Sequence, residues 1–177
     1  CPVCTGLGSR RTVDPALIVP DPEKSILDGA IQASGWNNIR GDGISRMYFD
    51  ALSKKYRFSL TAPFKDLPEA VKKIIFYGTG EEKLDLHYDQ PRGKGVLHQA
   101  FEGVCNNIDR RYLETQSDSV KRELEEFMTE QPCPACQGRR LRKEALAVTV
   151  GGLSIFEFTQ LSVTDELKWV NELKLTD

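Results

Sequence analysis

The chain has 177 residues, 40% hydrophobic and 28% charged, with 24 basic side chains, 26 acidic ones and a formal net charge of −2. A chain of this length can bury a core without covalent staples, so its five cysteines need another reason. The mild acidity confines any nucleic-acid contact to local patches. No apolar run is long enough for a membrane span or a signal peptide, and the first residue is Cys1 rather than Met, so the sequence reads as a soluble, cytoplasmic piece of a larger protein.

In chain order, CPVCTGLG is followed by residues 9–22, whose Pro15, Pro20 and Pro22 predict an extended crossing segment unable to sustain a helix. A short helix is expected over 25–33, then a loop marked by Gly35, Gly41 and Gly43 that holds Trp36. Ile44, Met47, Tyr48, Ala51, Leu52 and Tyr56 recur at helical spacing and predict an amphipathic helix with that face in the core. Residues 58–63 read as extended and 67–73 as a short helix, leading into the apolar run 74–77 that Gly78 and Gly80 close. Leu84, Leu86 and Tyr88 alternate with Lys83, Asp85, His87 and Asp89, the period of a half-buried strand; Pro91, Gly93 and Gly95 supply a turn to a second extended run from Val96.

Phe101, Val104, Cys105, Ile108 and Tyr112 share one helical face, and Val120, Leu124, Phe127 and Met128 another, which predicts an antiparallel helix pair. Ser117 or Ser119 is the expected N-cap of the second helix, and Pro132 its end. Residues 145–150 and 153–158 read as strands joined by Gly151-Gly152; Thr164 is expected to cap a last helix through 173, with Asp165 and Glu166 in its first turn. The fold class is α+β: mixed helices and small antiparallel sheets, closed at the base by a four-cysteine zinc module.

Cys1, Cys4, Cys133 and Cys136 form two CxxC pairs, each followed by glycine, the commonest source of four thiolates for a tetrahedral structural Zn2+. The alternative is that each pair serves a separate metal, or none. Loop-closure cost grows only logarithmically, so the 128 residues between the pairs do not forbid one site; they would make it a neck from which an inserted domain leaves and returns. A catalytic dithiol would open a helix after a strand, and proline and glycine flank both pairs instead. Cys105 falls on an apolar helix face and reads as core. His87 and His98 read as surface residues with no Ser, Cys or acid placed for catalysis. Nothing matches GxxxxGK followed by Ser or Thr, so neither a nucleotide site nor ATP hydrolysis is expected.

Basic pairs stand at Arg10-Arg11, Lys54-Lys55 with Arg57, Arg92 with Lys94, Arg110-Arg111, Lys121-Arg122 and Arg139-Arg140 with Arg142-Lys143. Arg111 and Arg122 could align along the helix pair and meet phosphates, or these could be solvated faces with intrahelical pairs such as Arg122 to Glu126.

CPVCTGLG and CPACQGRRLRKEAL resemble the paired zinc segments of the UvrA family, and DPALIVPDPEKSILDGAI and FEGVCNNIDRRYLET resemble the segment inserted between them. The resemblance covers nearly the whole chain. It implies the insertion domain of an ABC-type ATPase of bacterial nucleotide excision repair, part of the excision nuclease of the SOS response. On that likeness, 1–8 and 133–143 are the halves of the zinc module, 9–132 the insertion, and 144–177 a hairpin and helix re-entering the signature region. Nucleotide motifs, and hence ATP, belong to the full-length parent, itself expected to be a homodimer away from membranes. Damaged duplex DNA would be handled through the parent, and UvrB would dock on another of its domains. Arg110, Arg111, Lys121 and Arg122 are the phosphate-contact candidates. Two rivals are a protein-docking insertion without DNA contact, favoured by the acid excess, and a chaperone-type zinc module, disfavoured because CxxCxGxG repeats come four in close succession.

Overall fold

The computed structural model describes residues 1–41, 43–90 and 93–174. It divides into two units, one of Cys1–Arg11 with Glu130–Asp177 and one of Thr12–Thr129. Strand β1 (Ser9–Val13) pairs with β4 (Met128–Pro132). Backbone bonds flank this pairing at 2.9 Å, from Cys133 N–H to the Gly8 carbonyl and from Asp14 N–H to the Phe127 carbonyl. The pairing also shows why Pro132 does not end a helix: α5 stops at Glu125, and the chain from Met128 is already extended.

In Thr12–Thr129, Pro15 begins a helix instead of preventing one. It occupies the first turn of α1 (Pro15–Ile18), where no backbone donor is needed, and the Asp14 side chain caps Ala16 N–H. The helix expected over 25–33 is absent. Ser25 turns the chain instead: its hydroxyl donates to Asp28 Oδ2 at 2.6 Å, its carbonyl accepts from Asp28 and Ala30, and Gly29 lies at φ 84°. This turn still buries Ile26, Ala30, Ile31 and Ala33.

Helix α2 (Ile44–Tyr56) matches its expected bounds, but its buried face is Ser45, Phe49 and Leu52, leaving Ile44 47% exposed. The face is centred on Phe49 because that ring, with Tyr48, joins Trp36 and Phe101 in an aromatic cluster with centroids 5.3–6.2 Å apart. Trp36 Nε1 donates to Asn107 Oδ1 at 3.2 Å, which satisfies the one polar atom of that buried ring. Residues 58–63 are turns and coil, with Pro63 bridged to Ser25. The apolar run 74–77 is the last stretch of a single helix, α3 (Glu69–Tyr77).

Gly78 and Gly103, at φ 88° and 90°, end α3 and begin α4 (Val104–Glu114). A Cβ on Gly103 would lie 2.4 Å from Gly78 N, so only glycine permits this approach. Strands β2 (Lys83–Gln90) and β3 (Gly93–Ala100) form the expected antiparallel hairpin, burying Leu84 and Leu86. Pro91 and Arg92, assigned above to its turn and to a basic pair, lie outside the described residues. Phe101 precedes α4, which packs on α5 (Asp118–Glu125), and Ser117 caps α5 by accepting from Val120 N–H.

In the other unit, only the turn of the expected strand pair survives as sheet: β5 (Thr149–Val150) and β6 (Leu153–Ser154), joined by Gly151 and Gly152 at positive φ. The flanking residues are helical, α6 (Lys143–Leu146) and α7 (Ile155–Phe158). Ser154 and Glu157 form a capping box that starts α7. Ser162, rather than Thr164, caps α8 (Val163–Glu172), which carries Asp165 and Glu166 in its first turn as expected. Residues 175–177 of this segment lie outside the described residues. No helix among the described residues is long and apolar enough to cross a membrane.

Candidate metal centre

The Sγ atoms of Cys1, Cys4, Cys133 and Cys136 all lie within 4.8 Å of one another. Two turns of the same shape bring them there. Thr5, Gly6 and Gly8 have φ of 49°, 88° and 82°, while Gln137, Gly138 and Arg140 have φ of 51°, 84° and 66°. Both turns close with a 2.9 Å bond to the carbonyl of the second cysteine, from Leu7 N–H to Cys4 and from Arg139 N–H to Cys136. Gly8 N–H also donates to Cys4 Sγ at 3.3 Å. The missing Cβ of Gly8 leaves room for the Arg140 stem, which would lie 2.9 Å from it.

The donor set fits a divalent ion that prefers thiolates. Cys4 Sγ and Cys136 Sγ are 3.7 Å apart. A tetrahedron with metal–sulfur bonds of about 2.3 Å has edges of about 3.8 Å. Burial opposes ionisation of Cys4, but the Gly8 N–H, the Cys136 sulfur, the Gly6 N–H and the Cys133 sulfur together outweigh it and lower its pKa to about 7. At Cys136 burial prevails and pushes the thiol up, as expected when neighbouring thiols share a site. Cys4, Cys133 and Cys136 are buried, so these four donors, with protein around them, can hold a metal ion. Cys105 is elsewhere, in the core on α4, where burial pushes its thiol up to about 12.

The four phosphate-contact candidates lie on α4 and α5. Arg110 Nε and Nη2 donate to Glu102 at 2.7 and 3.1 Å, and its Nη1 to Glu114 at 2.8 Å. Arg111 Nη1 donates to the Ser34 carbonyl at 3.0 Å, tying α4 to the loop that carries Trp36. Lys121 Nζ lies 5.7 Å from the centroid of the Tyr112 ring, and Arg122 is exposed.

Two basic concavities went unmarked as sites. Lys54, Lys55, Lys83 and His87 line one of about 330 Å³ beside β2. A half-buried-strand pattern gave Lys83 and His87 a face but not their helical neighbour Lys54. Hairpin register sets His98 opposite Asp85, with Nδ1 2.7 Å from Oδ1, and both side chains are exposed. Arg139, Arg142 and Lys143 line the second, of about 470 Å³, along the second cysteine turn. The sequence signal was the run GRRLRK.

A family model described as the UvrA DNA-binding domain matches residues 14–126. UvrABC system protein A of Clostridium perfringens is 42% identical over 177 residues, all of this chain and 19% of that protein. The protein of the same name from Mesorhizobium japonicum is 42% identical over 173 residues, 98% of this chain and 18% of that protein. Among solved structures, UvrA2 from Deinococcus radiodurans superposes with a TM-score of 0.68 at 25% identity, over 97% of this chain and 22% of that one. The chain thus spans about one fifth of the length of the relatives it matches.

Proposed function

Because the chain belongs to the UvrA family, we propose that it is a DNA-binding insertion of an excision-repair ATPase, with no catalytic centre of its own and a structural Zn2+ on Cys1, Cys4, Cys133 and Cys136. The match of residues 14–126 to the family's DNA-binding domain carries this reading. Bound zinc would supply cross-linking and no reaction step: four thiolates leave no open coordination position. The chain's own contribution is to bring both cysteine turns together on folding, so that metal binding is folding energy for the unit that contains them.

On this reading 1–8 and 133–143 are the halves of the anchor, 9–132 is the insertion and 144–177 leads onward into the parent. ATP, the homodimer contact and UvrB belong to the rest of a cytoplasmic parent that gathers on damaged duplex. Of the four candidates on α4 and α5, Arg122 and Lys121 are the more available to phosphate, since Arg110 is held by two carboxylates. A docking module without DNA contact is the second reading, supported by the net charge of −2. Duplex affinity across a salt series separates them. A log–log slope of several negative units fits phosphate contact, and absent or salt-independent binding overturns it.

A further inference from the structure

We infer that Arg139, Arg142 and Lys143, on the rim beside the four cysteines, form a second contact site for the phosphates of duplex DNA. This rests on the reading of the chain as DNA-binding and places a contact outside the matched residues 14–126. Charge is the first argument. Residues 1–11 and 133–143 contain Arg10, Arg11, Arg139, Arg140, Arg142 and Lys143 and no acid, within a chain that is acidic as a whole. In the other unit Lys24, Arg40, Arg46, Lys55, Lys65, Lys72 and Arg110 are each ion-paired. Arg139, Arg142 and Lys143 are exposed; the Arg139 charge helps hold the Glu157 carboxyl below its ordinary value, after the Ser154 hydrogen bonds, but makes no ion pair within 4.0 Å among the described residues.

Geometry is the second argument. The three side chains line one concavity of about 470 Å³, with Glu144 the only acid among the described residues that line it. The Arg139 backbone is held by the cysteine turn, donating to the Cys136 carbonyl at 2.9 Å and accepting from Leu141 N–H at 2.8 Å, while Arg142 and Lys143 open α6, accepting from Leu146 and Ala147 N–H at 3.1 and 3.0 Å. The Arg139 guanidinium lies 5.8 Å from the centroid of the Phe156 ring, which restrains it while it remains exposed. The apolar lining is Pro2, Val3, Pro134, Ala135, Leu141 and Leu146, with no aromatic on which an unpaired base could stack. The surface therefore suits backbone phosphates of a duplex passing over it, without reading sequence.

The test measures duplex affinity of the full 177-residue, zinc-loaded chain across a chloride series, for the native protein and R142Q/K143Q. Each lost phosphate contact lowers the slope by about 0.9, so the pair is expected to reduce it by about 2 and affinity at about 0.1 M salt by roughly 60-fold. R142K should keep the native slope, since only positive charge is needed, and K65Q, at a lysine paired with Glu23, should change it little. Zinc content and helicity report folding. If the pair loses zinc, the single variants carry the test, each expected to lower the slope by about 1. An unchanged slope in R142Q/K143Q overturns this inference and leaves the DNA reading standing, whereas a native chain that shows no salt-dependent binding overturns both. Displacement of DNA by inorganic phosphate beyond its ionic-strength effect, in the native chain only, would reassign the rim to a small anion.

Discussion

The two units solve stability by different means. Thr12–Thr129 has an ordinary core, with Phe49, Leu52, Ile75, Leu86, Phe101 and Ile108 almost fully buried. In the other unit the buried side chains among the described residues are Cys4, Cys133, Cys136 and Ser154, while Leu7, Val148, Val163 and Leu167 are more than 60% exposed. Local hydrophobicity did not make the difference, because the second unit has ample leucine and valine. With no buried apolar centre among its described residues, it is expected to depend on its cysteines, whereas the first unit has a core of its own.

Metal removal should break this contrast most visibly. Structural zinc in small domains is worth roughly 10–16 kcal/mol, so chelation or Cys133→Ser should melt the cysteine-bearing unit and leave the aromatic core folded. Thiol titration reads this directly: Cys1, Cys4, Cys133 and Cys136 become reactive on stripping, while Cys105 stays silent until the core unfolds. Reaction of all five at once would refute the independence of the two. Conversely, Phe101→Ala should cost about 3–5 kcal/mol in the core transition and leave zinc affinity unchanged. Gly103→Ala, which forces a Cβ against Gly78 at positive φ, should cost at least about 2 kcal/mol in the same transition, seen as a lower denaturant midpoint.

Ser154→Ala removes the capping box and should cost about 1 kcal/mol, confined to the unit without an apolar core. The smallest effect is electrostatic. The Arg110 hydrogen bonds, with that of Asn107 and the Arg110 charge, hold the Glu102 carboxyl below its ordinary value despite its burial. A lowered folded pKa stabilises fully above the unfolded value of about 4.3 and is lost as pH falls through the folded value. Glu102→Gln should therefore lower stability modestly at neutral pH, flatten the acid limb of the profile below about pH 4.3, and leave stability at the lowest pH little changed.

What could be read in advance follows the same division. Periodicity found α2 and the β2–β3 hairpin because each buries one face against a large core, and the CxxC spacing found the metal ligands because that chemistry is local. It missed Phe49 as the centre of α2's buried face, since the partners that define the face, Trp36 and Phe101, lie far away in sequence. It took residues 145–158 for strands because their apolar residues face no core that would impose a period. The partner of Arg110, the phosphate-contact candidate, was not legible because Glu102, eight residues earlier, reaches it across the turn at Gly103.

The pairing of β1 with β4 has a consequence for how such a chain can be edited. The boundary between the units falls inside both strands, after Arg11 and after Thr129, so the ends of the larger unit lie on adjacent strands of one ladder. Joining Arg11 to Glu130 through a two-residue reverse turn would convert the ladder into a hairpin and bring both cysteine pairs within one short, contiguous peptide. The core-bearing segment is in this sense a removable cassette, exchangeable for another whose termini end side by side.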